Sequence, residues 1–224
     1  MVLNNFAQRA LTGFVFVIVM LWCSLHEWSL WPLCLLVFGF SYWEFCKLFV
    51  FDKTGSIRWL KALGGLVYTS LPLLMFFNLG FISGGFDYKG DFSPDLPILV
   101  LVLTWTNDTF AYLTGRWLGR TPFVPKLSPK KTWEGTIGGF ICTMAMGGVY
   151  SYWKHGDIET VYLFFGAAIS VAATCGDLFE SKLKRLAGVK DSGTLLPGHG
   201  GFLDRFDALF FTAPVAYLFW VLAG

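Results

Sequence analysis

The sequence predicts an all-α fold, a polytopic membrane helix bundle with about seven transmembrane helices and a cytoplasmic N-terminus. Apolar residues occupy 55% of the 224 positions and charged residues only 14%, whereas a typical soluble domain carries about 25% charged residues. Aromatic residues make up 19% of the chain, as expected for a protein with two membrane interfaces to anchor. Long apolar runs recur along the sequence, so we expect an integral membrane protein.

The element boundaries follow from these apolar runs, because a bilayer core of about 30 Å requires about 20 mostly apolar residues per helix. Candidate spans cover roughly 10–25, 28–50, 60–82, 96–115, 133–153, 158–179 and 203–223. A polar patch at His26 and Glu27 separates the first two. No small-residue cleavage site follows the first run, so we expect a retained helix and not a removed signal peptide.

The distribution of basic residues predicts the orientation. All but two of the 17 Lys and Arg residues fall on one side of the predicted membrane, and the positive-inside rule makes that side cytoplasmic. No repeat or hinge divides the sequence, so we interpret residues 1–224 as a single integral membrane domain. Its N-terminal helices lie in 1–95, and its catalytic helices and cytoplasmic loops lie in 96–224. The five cysteines show no CxxC spacing, so we expect neither a zinc site nor a disulfide framework.

The most informative segment runs from Ser181 to Asp207 and reads SKLKRLAGVKDSGTLLPGHGGFLDRFD. Cations, carboxylates and a Gly-rich turn between two spans suit a phosphate substrate that carries a divalent metal. Glycine lets the backbone approach a ligand closely, and backbone N–H groups can hold an anion. His199 has three open interpretations, which are a hydrogen bond to phosphate, proton transfer, or bracing of the loop. Lys184 and Arg185 can also be ordinary positive-inside residues.

One pair of carboxylates precedes this segment and a second pair lies at its C-terminal end. Asp177 and Glu180 share a helix face at the end of the sixth span. Carboxylates inside a membrane indicate function. The alternative is that both remain solvated at the membrane interface. Asp204 and Asp207 open the last span, where the helix dipole by itself favours acidic residues. The dipole does not explain Arg205 between them. We therefore favour carboxylates that hold a metal and a guanidinium directed at phosphate.

The fourth span and the loop after it contain a further group of polar residues. Asp108 lies within an apolar run and so needs a partner inside the bundle. A Lys and Ser-Pro cluster that includes Ser128, Lys131 and Thr132 can be a plain patch for lipid headgroups. Polar residues at the start of the fifth span favour a nucleotide or phosphate contact instead. The sequence contains no GxxxxGK[ST], GxGxxG, HExxH or GxSxG pattern.

The segment from Ser181 to Asp207 resembles the hallmark of phosphatidate cytidylyltransferases, also called CDP-diacylglycerol synthases. The matching positions are Ser181, Lys184, Arg185, Lys190, Asp191, Ser192, Gly193, Pro197, His199, Gly200, Gly201, Asp204, Arg205 and Asp207. Upstream pieces are also similar to the family, namely Asp108-Thr109, Ala111-Tyr112, Gly115, Ser128-Pro129, Lys131-Thr132-Trp133 and Gly135. The resemblance covers roughly residues 100–215, and the first 95 residues resemble only a set of membrane helices.

This resemblance implies that CTP and phosphatidic acid give CDP-diacylglycerol and pyrophosphate, a step of phospholipid biosynthesis. It also implies a Mg²⁺ ion held by Asp177 and Asp204, and a second cation such as K⁺. The other catalytic candidates are Lys190, Asp191 and His199, and the substrate-binding candidates are Asp108, Ser128, Lys131, Thr132, Lys184, Arg185, Arg205 and Asp207. The expected partners are CTP, phosphatidic acid and membrane lipids, with a homodimer left open and no nucleic acid. The expected location is a bacterial-type inner membrane, with the active site facing the cytoplasm.

Three other functions would share part of this pattern. A related membrane transferase that acts on an isoprenoid or archaeal ether lipid would share half of these features. A cation channel or transporter could use Asp108, Asp177 and Asp204 as a pathway, but the charges gather on one face of the predicted membrane. A CDP-alcohol phosphotransferase would carry a DGxxAR pattern, which this sequence lacks.

Overall fold

Long α-helices make up most of the computed structural model of the chain. The structure describes residues 5–50, 58–82, 91–193, 195 and 200–222, with side chains described from residue 12 onward. In chain order the elements are α1 (Asn5–Ser24), α2 (Glu27–Phe45), α3 (Trp59–Asn78), α4 (Asp95–Leu118), β1 (Pro122–Val124), β2 (Ser128–Thr132), α5 (Trp133–His155), α6 (Thr160–Leu186), α7 (Leu203–Phe206) and α8 (Leu209–Leu222). One π-helical turn (Cys46–Val50) extends α2, and one 3₁₀ turn (Leu79–Phe81) extends α3. The predicted all-α class is confirmed.

The described residues contain five helical segments that are long and apolar enough to cross a membrane. These are Glu27–Val50, Trp59–Phe81, Asp95–Leu118, Thr160–Leu186 and Leu203–Leu222. Large apolar side chains cover their outer surface, including Leu60 at 86% exposure and Leu222 at 80%. A soluble monomer rarely exposes so much apolar surface, whereas a bilayer solvates it. The chain is therefore an integral membrane protein. The two other predicted spans correspond to α1 and α5.

Local chemistry explains where the helices end. His26 has extended backbone with φ −139° and separates α1 from α2, and the Ser29 hydroxyl donates to the carbonyl of Cys23 at 2.9 Å across this turn. Gly156 ends α5 in the left-handed region with φ 78°, which glycine adopts without a steric penalty.

The single helix predicted over 203–223 is divided in the structure into α7 and α8. The Asp207 carboxylate accepts the backbone N–H of Ala208 at 2.7 Å. Short polar side chains that bond to nearby backbone in this way compete with regular helix. Helical bonding resumes when Phe211 and Thr212 donate to the carbonyl of Ala208.

The chain divides into two compact units. The first takes Met1–Ser83, Tyr88–Ile98 and Leu183–Phe206, and the second takes Gly84–Asp87, Leu99–Lys182 and Asp207–Gly224. The interpretation of residues 1–224 as one integral domain stays a prediction. In the first unit α2 packs against α1, α3 and α7. Its core contains Leu30, Val37, Phe76, Leu203 and Phe206, each no more than 2% exposed.

In the second unit, a stripe of small residues on α5 brings helices close together. Gly135, Gly139, Thr143, Gly147 and Ser151 are all buried and follow one another at intervals of four residues, so they lie on one helix face. A Cβ atom on Gly139 would lie 2.9 Å from the carbonyl oxygen of Asn107 on α4. Small residues at such contacts allow the backbones of membrane helices to approach closely.

A short hairpin precedes α5 where the sequence was interpreted only as a loop. Strand β1 pairs with β2 in antiparallel register, with Pro122 opposite Thr132 and Val124 opposite Ser128. The backbone N–H of Trp133 donates to the carbonyl of Thr121 at 3.0 Å. The hairpin therefore holds Ser128–Thr132 in an extended conformation directly before α5 begins.

Candidate functional site

A cavity of about 350 Å³, lined by both polar and apolar surface, opens within the second unit. Four elements contribute to its wall, namely α4, β2, α5 and α6. The lining residues are Asn107, Asp108, Ala111, Tyr112, Gly115, Arg116, Ser128, Lys130, Lys131, Thr132, Gly135, Thr136, Thr174 and Asp177. Five of the residues predicted from the sequence, Asp108, Ser128, Lys131, Thr132 and Asp177, therefore meet in one cavity.

Lys131 and Asp177 form an ion pair across the cavity wall. The Nζ of Lys131 on β2 lies 2.5 Å from Oδ2 of Asp177 on α6, and the two side chains are 25% and 37% exposed. The hydroxyl of Ser181, one turn later on α6, is within 3.4 Å of the other carboxylate oxygen. Asp177 is therefore fixed in direction and still accessible from the cavity.

A second carboxylate enters the same cavity from α4. The Asn107 amide donates to Oδ1 of Asp108 at 3.4 Å. The amide oxygen of Asn107 accepts a hydrogen bond from the Ser170 hydroxyl on α6 at 2.6 Å. This buried bond fixes the direction in which the Asn107 amide faces Asp108. Asn107 is thus the partner that the sequence required for Asp108.

The N-terminus of α5 forms another part of the wall. Thr132 caps this helix, because its hydroxyl accepts the backbone N–H of Gly135 at 3.2 Å. Glu134 accepts the backbone N–H groups of Arg120 and Thr121 at 3.2 Å, which ties the preceding loop to the helix. The positive end of the helix dipole therefore faces the side of the cavity that Lys131 and Thr132 line, where an anion is favoured.

The cavity offers oxygen ligands of the kind that a magnesium ion prefers. Mg²⁺ prefers oxygen ligands and is commonly held by one or two carboxylates, with water and substrate phosphates completing its octahedron. Asp108 and Asp177 supply two carboxylates, and no group of three or more His, Cys, Asp or Glu side chains suited to a metal occurs among the residues that the structure describes. Two carboxylates are compatible with a Mg²⁺ ion whose remaining ligands are water and substrate phosphates, and magnesium binding stays a prediction.

The hallmark segment surrounds Asp204 in the first unit. Oδ1 of Asp204 lies 2.8 Å from Nζ of Lys184, and the two side chains are only 8% and 16% exposed. Oδ2 accepts the backbone N–H groups of Ser192 and Gly201, each at 2.9 Å, and lies 3.0 Å from the Ser192 hydroxyl. Both carboxylate oxygens thus organise the loop in the structure, and the metal-binding role of Asp204 stays a prediction.

Of the other candidates in the hallmark segment, five lie among the described residues. Lys190, Asp191 and Arg205 are exposed. The guanidinium of Arg185 donates to the carbonyl of Val189 at 3.2 Å, and Asp207 accepts from the Ala208 backbone as described above. His199 lies outside the described residues, so its three interpretations stay open.

The burial of Glu180 excludes one of the two interpretations of this residue. This side chain is fully buried, so the interpretation that both Asp177 and Glu180 stay wet at an interface is wrong for Glu180. The two are three positions apart, and the α-helical period of 3.6 residues turns their side chains by about 60° relative to each other. That rotation suffices to bury one carboxyl while the other lines the cavity.

Tyr112 and Arg116 belong to the polar group of the fourth span that the sequence indicated, whereas Thr174 was not selected from the sequence. Arg116 donates from Nη1 to the Tyr112 hydroxyl at 3.3 Å, and both side chains line the cavity. Their spacing carries a signal, because Asp108, Tyr112 and Arg116 follow one another at intervals of four residues on one face of α4. Thr174 of α6 shares a helix face with Asp177, because it lies three residues earlier in the sequence.

Comparison with known proteins identifies relatives of this chain. The sequence pattern of the cytidylyltransferase family matches residues 63–223. A phosphatidate cytidylyltransferase of Thermotoga maritima is 46% identical over 152 residues, which cover 64% of this chain and 56% of that protein. One from Synechocystis is 47% identical over 128 residues, covering 56% and 43%. One from Rickettsia bellii is 34% identical over 229 residues, covering 96% and 90%.

The matches thus span about half the length of the Thermotoga and Synechocystis relatives and nearly the whole of the Rickettsia relative. The family pattern covers α4, the hairpin, α5, α6 and the hallmark segment, which hold the cavity and the surroundings of Asp204. The chain therefore belongs to the cytidylyltransferase family.

Proposed function

We propose that the protein is a Mg²⁺-dependent nucleotidyltransferase that moves CMP from CTP to phosphatidic acid and releases pyrophosphate. The observation that carries this proposal is the cavity of the second unit, where two carboxylates meet three cations, Arg116, Lys130 and Lys131. Relatives that are 46% and 47% identical to this chain over 152 and 128 residues bear the name phosphatidate cytidylyltransferase. Both substrates are phosphates, and one is a lipid, which accords with a charged cavity in a membrane-embedded chain.

The proposed reaction is an in-line displacement at phosphorus. A phosphate oxygen of phosphatidic acid attacks the α-phosphorus of CTP, the bond between the α-phosphorus and its bridging oxygen breaks, and pyrophosphate leaves. Such transfers depend mainly on positioning and charge neutralisation. Lys131 is well placed to bind a triphosphate or lipid phosphate oxygen, and a phosphate monoester is already a nucleophile near neutral pH. A strong general base is therefore not required.

The metal and the remaining ligands belong to the same proposal. Mg²⁺ would be held by Asp177 and, as the resemblance implies, Asp204, and it would neutralise charge that develops on the phosphate oxygens. Lys184, Arg185, Lys190 and Arg205 would share the binding of the triphosphate and the lipid phosphate. A second cation such as K⁺ and a homodimer are further parts of the proposal.

The distribution of cations supports a cavity that opens to the cytoplasm. The cations of the cavity belong to the basic side of the predicted membrane, which the positive-inside rule makes cytoplasmic. We therefore place the protein in a bacterial-type inner membrane with the cavity open to the cytoplasm, where CTP is available. The lipid tails would remain in the bilayer while the headgroup reaches the cavity.

The test is incubation of the purified protein in detergent with labelled CTP, Mg²⁺ and phosphatidic acid, followed by extraction of lipid-linked label. We expect label in the lipid phase that depends on both Mg²⁺ and phosphatidic acid and is lost with EDTA. Asp177→Asn should reduce the rate by at least about 100-fold, as expected for a group that stabilises charge in the transition state.

Other outcomes would contradict the proposal. Label that enters an isoprenoid phosphate or an ether-linked archaeal lipid, but not phosphatidic acid, would replace the proposed substrate with another lipid. Full activity of Asp177→Asn would remove the proposed metal site. Uptake of cations into protein-containing vesicles without CTP turnover would favour a channel.

A further inference from the structure

We propose that Glu44, on α2, is a positioning residue that holds the hallmark segment in its active conformation. The inference rests on the proposed function, because it assigns Glu44 a part in the same reaction. It goes beyond the matched family pattern, which begins at residue 63. Glu44 belongs to the N-terminal helices, which the sequence indicated only as membrane spans.

The Glu44 carboxylate is buried and accepts hydrogen bonds from three residues of the hallmark segment. Its side chain is only 2% exposed. Oε2 accepts the hydroxyl of Ser192 and the backbone N–H of Leu203, each at 2.9 Å. Oε1 accepts the backbone N–H of Phe202 at 3.1 Å. A carboxylate is costly to bury in a membrane-spanning helix, and hydrogen bonds from three donors offset that cost.

The glycines of the hallmark segment leave room for this carboxylate. A Cβ atom on Gly193 would approach the Glu44 carboxyl carbon to 2.8 Å, and one on Gly201 would approach Oε1 to 2.7 Å. Real Cβ contacts below 3.0 Å are essentially absent. The approach of Glu44 therefore accounts for glycine at 193, and the approach of Glu44 together with the Ser192 hydroxyl accounts for glycine at 201.

Ser192 connects Glu44 to Asp204. The Ser192 hydroxyl lies 2.9 Å from Oε2 of Glu44 and 3.0 Å from Oδ2 of Asp204. The backbone N–H of Ser192 donates to the same oxygen of Asp204. Glu44 and Asp204 therefore hold one stretch of chain from two directions. Loss of Glu44 would remove one hydrogen bond each from Ser192, Phe202 and Leu203, and so would loosen the surroundings of Asp204.

An aromatic contact one turn earlier on α2 holds the same stretch. The rings of Phe40 and Phe202 stack with centroids 4.8 Å apart. Phe40 and Glu44 are four residues apart and share a helix face. This face of α2 thus contacts the hallmark segment through one apolar and one charged side chain, which is the arrangement expected of a support for the site and not of a group that touches substrate.

The experiment compares Glu44→Gln and Glu44→Ala with Glu27→Gln. Glu27 is an exposed glutamate at the start of the same helix and serves as the matched control. Glu44→Gln keeps the size of the side chain but turns one acceptor into a donor that faces the donors of the hallmark segment. The measurements are kcat and KM for CTP, together with amide hydrogen exchange of the peptide that contains Phe202 and Leu203.

We expect both Glu44 variants to lower kcat by at least about 10-fold, the loss that corresponds to one charge-assisted hydrogen bond. KM for CTP should change less than kcat, and exchange at Phe202 and Leu203 should become at least about 10-fold faster. Glu27→Gln should leave kcat, KM and exchange unchanged. Ser192→Ala should reproduce part of the effect, and its combination with Glu44→Gln should cost less than the sum of the two single losses.

Unchanged kcat in Glu44→Gln would overturn the proposal, whether or not exchange becomes faster. Unchanged exchange with a lower kcat would also overturn it, because Glu44 would then act otherwise than by holding the segment. If the unmodified protein transfers no CMP to any lipid, the proposed function fails, and with it the catalytic part of this inference. The exchange comparison would still show whether Glu44 holds Phe202 and Leu203. Should Glu44→Ala not fold, the isosteric Glu44→Gln carries the test.

Discussion

Replacement of Lys131 by methionine is the sharpest test of the cavity. The change removes the ammonium group that lies 2.5 Å from Oδ2 of Asp177 and keeps most of the apolar stem. A hydrogen bond to a charged group contributes about 1.5–3 kcal/mol, and about 1.4 kcal/mol corresponds to a factor of ten. Both side chains of the pair are more than one fifth exposed, so water screens the interaction. We therefore expect kcat/KM to fall by about 10-fold, at the lower end of that range.

The split of this loss between kcat and KM shows what Lys131 does. A drop in kcat with KM unchanged indicates a contact made only in the transition state, whereas a rise in KM alone indicates equal binding of substrate and transition state. Stability should hardly change, because a partly exposed ion pair contributes about 0–1 kcal/mol. The assay is transfer of labelled CMP to phosphatidic acid in detergent, with the melting temperature measured on the same samples.

A control and a double variant complete this test. Lys61→Met removes an exposed cation of α3 that is not part of the cavity and should retain the unmodified rate. The combination of Lys131→Met with Asp177→Asn should cost less than the product of the two single losses, because the residues are in contact. The reasoning is refuted if Lys131→Met is as active as Lys61→Met, or if the two losses at Lys131 and Asp177 multiply independently.

Two further predictions concern the framework of the cavity. Gly135→Ala would place a Cβ atom 2.7 Å from the carbonyl oxygen of Ala111, so overpacking should destabilise the protein by about 1–3 kcal/mol. In the control Gly64→Ala the added Cβ atom meets nothing within 4 Å, so the melting temperature should stay unchanged or rise. Equal stability of the two variants would contradict the close approach of α4 and α5. Asn107→Leu removes the acceptor of the buried Ser170 hydroxyl and should cost about 1–3 kcal/mol of stability, together with activity through the loss of support for Asp108. A second change, Ser170→Ala, should recover part of the stability but not the activity, and recovery of both would show that Asn107 acts on packing alone.

The candidate site could be predicted in large part where spacing along one helix carries the information. Asp177 and Asp108 were predicted because carboxylates are rare in apolar spans, and both line the cavity. Arg116 follows Asp108 on the same helix face and lines the cavity as well. The hairpin over Pro122–Thr132 escaped prediction because its strands contain three and five residues, too few for a periodic pattern to emerge.

The sequence by itself determined the membrane class and the approximate helix boundaries, since the solvation of apolar side chains depends on composition and period alone. It also determined the family, through the spacing of residues in the hallmark segment. Only the tertiary structure decided that Glu44 meets Ser192 and Leu203, which are 148 and 159 positions away. No local pattern records such a contact, because the two parts of the chain become neighbours only when α2 and α7 pack together. For the same reason, only the fold separated the buried Glu180 from the accessible Asp177.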